Sequence, residues 1–221
     1  GAVRALSRFG EYRALSGRLD AAGTVESGPA VFSGTARVHE ERNRGPLSDE
    51  PALCYAVTAV DLLGARDAGF PRIRHHEQSG HPFALEDDTG TVVVEPTDAS
   101  VQFWEPNRQL VPETTAQPGD DGQRAAIDDI CGEAGLNPDS ALTYRERRLV
   151  PGTDVTVLGT ARRAPTDRYA RVGDGTQRLV VFFGDAETVR DALGDRLRHG
   201  TALAALGVGG AVGMLLSAGV L

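Results

Sequence analysis

The alternation of apolar and polar residues along this chain follows a period of two far more often than one of 3.6, which predicts a mainly β protein. Its clearest stretch is Pro82 to Pro96, PFALEDDTGTVVVEP: two short strands folded back on each other across Asp87-Asp88-Thr89-Gly90. Phe83 and Leu85 then face one way, and Val92 and Val94 meet them across the turn. A second stretch of the same kind, Leu149 to Ala161 (LVPGTDVTVLGTA), predicts strands at Leu142 to Leu149 and Asp154 to Arg162. Upstream, TVES and AVFSGTARVHE predict strands around Gly28-Pro29, with Val31, Ser33, Thr35 and Arg37 opposite Phe32, Ala36 and Val38. Ala52 to Leu62 predicts a buried strand, Val101 to Leu110 an extended piece, and Gln177 to Phe183 a last strand.

The period changes in three places. Asp121 to Ala134 carries Ala125, Ile127, Ile130, Cys131 and Ala134 as a helical stripe that Gly135 can end. Asp185 to Arg198 repeats the pattern with Val189, Leu193 and Leu197. At the other end, Val3, Leu6, Phe9, Leu15 and Leu19 alternate with arginines in an amphipathic helix that could pack on the domain, lie at a membrane surface or be the flank of an upstream membrane span. Gly64 to Gly80 and Thr114 to Gly122 carry no such pattern and read as a polar segment and an exposed loop.

Residues 201–221 hold no charge. A helix of that length spans roughly 30 Å, the thickness of a bilayer core, so a C-terminal transmembrane helix is expected. Gly209 and Gly213 form a GxxxG through which a second copy could pack, giving a homo-oligomer. Arg190, Arg196 and Arg198 before the span favour a cytoplasmic domain. The organisation expected is therefore an N-terminal helix over 1–23, a β-rich domain over 24–198 and a membrane helix over 199–221. The domain reads as mainly β (α+β), an antiparallel barrel or sandwich with two or three short helices.

Charge changes the picture of partners. The 31 acidic residues exceed the 23 basic ones by 8, and every basic residue is Arg. A Lys-free acidic surface suits very high salt, which points to a halophilic archaeon, with a GC-rich genome that favours Arg codons as the alternative, and it disfavours nucleic acid, which needs clustered cations. Cys54 and Cys131 stand far apart in apolar surroundings and read as two core residues, with a single disulfide as the alternative.

The chemistry is thin. Asp88-Thr89-Gly90 is the tripeptide that aspartic proteases place twice; here it occurs once, and a hairpin turn accounts for it, a dimeric protease using Asp88 being the alternative. His75, His76 and His81 near Glu77 read as loop histidines rather than a metal site. Strand pairs with glycine turns also allow an OB-like ligand-binding barrel. No catalytic residue, cofactor or metal is expected. Recognition of a protein at the membrane is assigned to the turn Glu86, Asp87 and Asp88 and to Tyr144, Arg145 and Glu146, read as an exposed, neighbouring strand.

Four landmarks in order resemble the GIDE domain of the MULAN family of organellar outer-membrane ubiquitin ligases. They are GTARV with Pro46-Leu47-Ser48 and Leu53-Cys54-Tyr55; PFALEDDTGTVVVEP; YRERRLVPGTDVTVLGTA at Tyr144 to Ala161; and the C-terminal span. The resemblance covers about residues 24 to 198 and implies a β-rich module beside a membrane that recognises proteins. The family's ubiquitin chemistry comes from a zinc-binding RING of about eight Cys and His ligands. With two Cys in its 221 residues, this chain offers no positions for those ligands, and it is read as a scaffold linked to a ubiquitin-like pathway.

Overall fold

A computed structural model describes residues 17, 19–41, 43–61, 72–96, 103–104, 112–163, 166–175 and 178–195. The strands run β1 (Gly28–Val38), β2 (Asn43–Arg44), β3 (Pro51–Ala52), β4 (Cys54–Asp61), β5 (Arg72–Gly80), β6 (Phe83–Asp87), β7 (Gly90–Val94), β8 (Phe103–Trp104) and β9 (Glu113–Ala116). After a 3-10 turn at Asp121–Gln123, helix α1 (Arg124–Ala134) leads into β10 (Leu142–Leu149), β11 (Asp154–Arg162), β12 (Ala170–Gly173) and β13 (Val180–Phe183). Residues 186–195 form a last helix, α2.

Five strands close a barrel. The order β1-β6-β7-β12-β11 returns to β1 through the β1–β11 pairing, and β7 and β12 run parallel while the other neighbours are antiparallel. Numbered within the ring alone, that order is 1-2-3-5-4, the Greek-key arrangement of an OB-type barrel. Period-two alternation explains what fills it: Phe32, Ala36, Phe83, Leu85, Val92, Val94, Val155, Val157 and Phe183 point inward and form the main core. Residues of opposite parity, Val31, Leu158, Val180 and Phe182, face out and are covered by Val189 and Leu193 of α2. This is why β11 and β13 are apolar on both faces.

The chain between β1 and β6, and again between β7 and β11, builds a second layer. There the sheet β5-β4-β10-β9 packs on α1 through Val57, Ala59, Ala116, Leu142 and Tyr144 against Ile127, Ile130 and Cys131. Gly135 ends α1 in the left-handed region at φ 64°, its N–H donating to the Cys131 carbonyl, a conformation that glycine adopts without Cβ strain.

The hairpin register is as expected, Phe83 opposite Val94 and Leu85 opposite Val92, and both cysteines are buried and free. Other expectations need correcting. TVES is no strand, and β1 begins at Gly28 itself. Ala126, not Ala125, packs on the second core. Thr114 to Ala116 belong to a strand and Ala116 is fully buried, and the unpatterned tract ending at Gly80 contains the nine-residue β5. Residues 19–22 are not helical: Asp20 exchanges backbone and side-chain hydrogen bonds with Val31. The rest of the N-terminal helix, Leu197 and the span over 201–221 lie outside the described residues, among which no helix is long and apolar enough to cross a membrane.

Candidate functional site

Strand β10 reads LTYRERRL, and its alternation turns Leu142, Tyr144, Glu146 and Arg148 toward α1. The same period that buries Tyr144 therefore buries a carboxylate, and Glu146 is 0% exposed. A buried charge is tolerated only when paired and hydrogen-bonded. Glu146 Oε2 accepts the N–H of Leu47 at 2.6 Å and of Ser48 at 3.3 Å, and Oε1 accepts the Ser48 hydroxyl at 2.5 Å. Arg148 Nε lies 3.1 Å from Oε1, close enough for Coulomb attraction although not aligned as a hydrogen bond.

The loop around this carboxylate is shaped to it. Asn43 and Arg44 pair with Ala52 and Pro51, Gly45 bonds to Glu50, and Asp49 turns through φ 54° to donate to the Gly45 carbonyl. A side chain at Gly45 would collide with the Glu146 carboxylate. Gln123 Nε2 donates to the Leu47 carbonyl at 3.3 Å, so the start of α1 holds the loop from its other side.

Further polar groups line the same sheet face. Tyr55 donates its hydroxyl to Glu77 at 3.0 Å; burial, and then the Glu77 charge, push its pKa up to about 12. His75 Nε2 lies 3.7 Å from Glu77, beyond hydrogen-bond range, and has no hydrogen-bond partner among the described residues. Tyr144 Oη and Cys131 Sγ lie 2.9 Å apart, and burial followed by that contact drives the phenol well above its ordinary value. Cys54, in the barrel core, is pushed up to about 12 by burial alone.

The acidic turn is organised differently. Asp87 Oδ1 accepts the N–H of Thr89 (2.7 Å), the Thr89 hydroxyl (2.6 Å) and the N–H of Gly90 (2.9 Å), while Oδ2 accepts the N–H of Ala22 at 3.0 Å. Burial opposes ionisation of Asp87, but these hydrogen bonds outweigh it and hold the carboxyl below its ordinary range. Asp88 points to solvent, and Glu86 is half exposed and paired with Arg37 at 3.3 Å.

The six residues expected to form one exposed surface are thus divided. Tyr144 and Glu146 are interior, a correction that follows from the helix packed on their side of β10; Arg145, on the opposite face, is exposed. The turn and β10 are not neighbouring strands, since β6 pairs with β1 and β7, and β10 with β4 and β9. What sequence reasoning missed is the partnership of Gly45, Leu47, Ser48 and Arg148 with Glu146. The signal was present: Pro46-Leu47-Ser48 and Tyr144-Arg145-Glu146, two of the landmarks of the resemblance, meet here in space. His75 and His76 point to opposite faces of β5, and no group of three His, Cys, Asp or Glu is placed to hold a metal among the described residues.

A family model described as GIDE, E3 ubiquitin ligase, matches residues 71–217 of the 221. Neither the curated proteins nor the solved structures give a match.

Proposed function

Since the chain belongs to the GIDE family, we propose that its β domain is a protein-recognition module, held at a membrane and serving a ubiquitin-like pathway as a scaffold. The observation that carries this is the occupation of Glu146. Its oxygens are taken up by loop 43–50 and Arg148, a positioning arrangement rather than that of an acid or base reaching toward a substrate. The same occupation joins the two insertions into one rigid surface beside the barrel, which suits recognition. The uncharged stretch 201–221 and the arginines before it support anchorage with the domain on the cytoplasmic side.

Glu86, Asp88 and Arg145 are the exposed members of the expected surface. The test is affinity capture of the intact, membrane-extracted protein from its own cells, with mass spectrometry of what accompanies it. A defined protein partner, lost on Asp88→Arg or Arg145→Glu, is the expected result. A folded bait that recovers nothing would sink the reading.

The OB-type ring order favours a second reading, a ligand-binding barrel. On the outward side of β1, β6, β7 and β12, however, Arg37 is paired with Glu86 and Arg171 with Glu95. That pairing weighs against polyanions as the ligand.

A further inference from the structure

In the sheet β5-β4-β10-β9, β5 has a neighbour on one side only among the described residues. Among the described residues, no backbone N–H or C=O on its outward side is hydrogen-bonded. Such an edge is a template for another strand, and proteins ordinarily blunt it. The blunting here is confined to one end. The register slips by one at Arg74, between the pairs Ala59–His75 and Val60–Ile73, and pairing is regular from His75 to Gly80.

The side chains on this edge are unusual for the molecule. Ile73 is 67% exposed, the most exposed large apolar residue among those described. Arg72 is exposed and makes no ion pair among the described residues, while Arg74 reaches Asp61 at 3.2 Å. On a chain of net charge −8, Arg72, unpaired among the described residues and beside the exposed Ile73, is a local inversion of charge next to an apolar side chain. Strand addition draws affinity from the main-chain ladder and specificity from the side chains that the new strand meets.

We propose that β5 is a docking edge that takes an extended segment of a partner protein as an added strand. That segment places an apolar residue against Ile73, beside an acidic residue that meets Arg72. A second copy of this chain fits less well, because the one carboxylate of β5, Glu77, already accepts the Tyr55 hydroxyl. This inference rests on the reading of the domain as a recognition module and adds the β5 edge to the exposed Glu86, Asp88 and Arg145.

The probe is a fluorescein-labelled heptapeptide of alternating glutamate and valine, titrated by anisotropy into the full chain. Its control replaces alternate valines by proline, which cannot complete a ladder. Saturable binding is expected, absent for the control and weakened by about tenfold or more, some 1.4 kcal/mol, in Ile73→Lys and in Arg72→Glu. Both positions are exposed, so unchanged circular dichroism and Tm certify the variants as folded. No saturable binding to the folded wild type, or equal affinity for the variants, overturns the proposal.

Repeating the affinity capture with Ile73→Lys separates the two claims. Loss of a partner that the wild type recovers supports the edge. Retention overturns the edge and leaves the recognition module standing. Recovery of nothing by any form overturns the module, and the peptide titration then decides the edge by itself.

Discussion

The barrel and the inserted layer bury their interiors by different means. The main barrel core contains only apolar side chains, Phe32, Phe83, Val157 and Phe183 among them, and is held by burial at about 25 cal/mol per Å². The inserted layer has a smaller apolar core and completes it with polar contacts: Glu146 on loop 43–50, Tyr144 on Cys131, Tyr55 on Glu77. Its chain arrives in two pieces whose ends are fixed by barrel strands. The layer therefore depends on the barrel, whereas the barrel does not depend equally on the layer. A region stabilised by directional contacts loses more when one partner is removed, because the other is left buried and unpaired.

The largest test strikes the dominant region. Phe83→Ala leaves a hole in the barrel core and should cost about 3–5 kcal/mol. Urea unfolding followed by alkylation of Cys131 in the layer core should lose midpoint as much as the whole-chain circular dichroism does. A layer signal that stayed in place would show the two regions to be independent.

Glu146→Ala strikes the layer and should cost about 3 kcal/mol, since Arg148 is left without its buried counter-charge. Cys131 sits in the layer's own core, while Cys54, the first residue of β4, packs its side chain into the barrel core, so alkylation under native conditions compares the two cores. In the variant, Cys131 should label much faster while Cys54 keeps its rate. Equal acceleration of both would mean that the layer does not open by itself.

Asp87→Asn sharpens the comparison from the barrel side, because this turn is the barrel's own polar cluster. The folded pKa of Asp87 lies below its unfolded value, so its stabilisation is complete above the ordinary carboxylate range and is lost as pH falls through the folded value. The variant should be about 1–2 kcal/mol less stable at neutral pH. Wild type and variant should converge on acidification, and a gap that stayed constant down to low pH would contradict the assigned charge. The smallest effect is expected for Tyr144→Phe, about 1 kcal/mol, seen as faster labelling of Cys131 with that of Cys54 unchanged.

These contrasts match what could be read in advance. The hairpin β6–β7, strands β10 and β11 and helix α1 were legible because each is patterned locally, by period-two or helical alternation ended by a turn or Gly135. Strand β5, RIRHHEQSG, was not, because an edge strand that buries little needs no alternation. Strands β9 and β12 escaped for a related reason: with four residues apiece, they exist through ladders with distant partners, β10 for one and β7 and β11 for the other.

The candidate site was half legible. Tyr144, Arg145 and Glu146 stood out by residue type, yet alternation states only that Arg145 and Glu146 face opposite ways, not which way is inside. Helix α1 settled that by packing on the Glu146 side. By itself, then, the sequence determined the strand-rich class, the central hairpin and the family, since these rest on short-range patterns and ordered motifs. Closure of β1 on β11, the assembly of two insertions into one layer and the burial of Glu146 were decided by tertiary structure. Each depends on contacts between residues far apart in the chain, and local propensity carries no term for those.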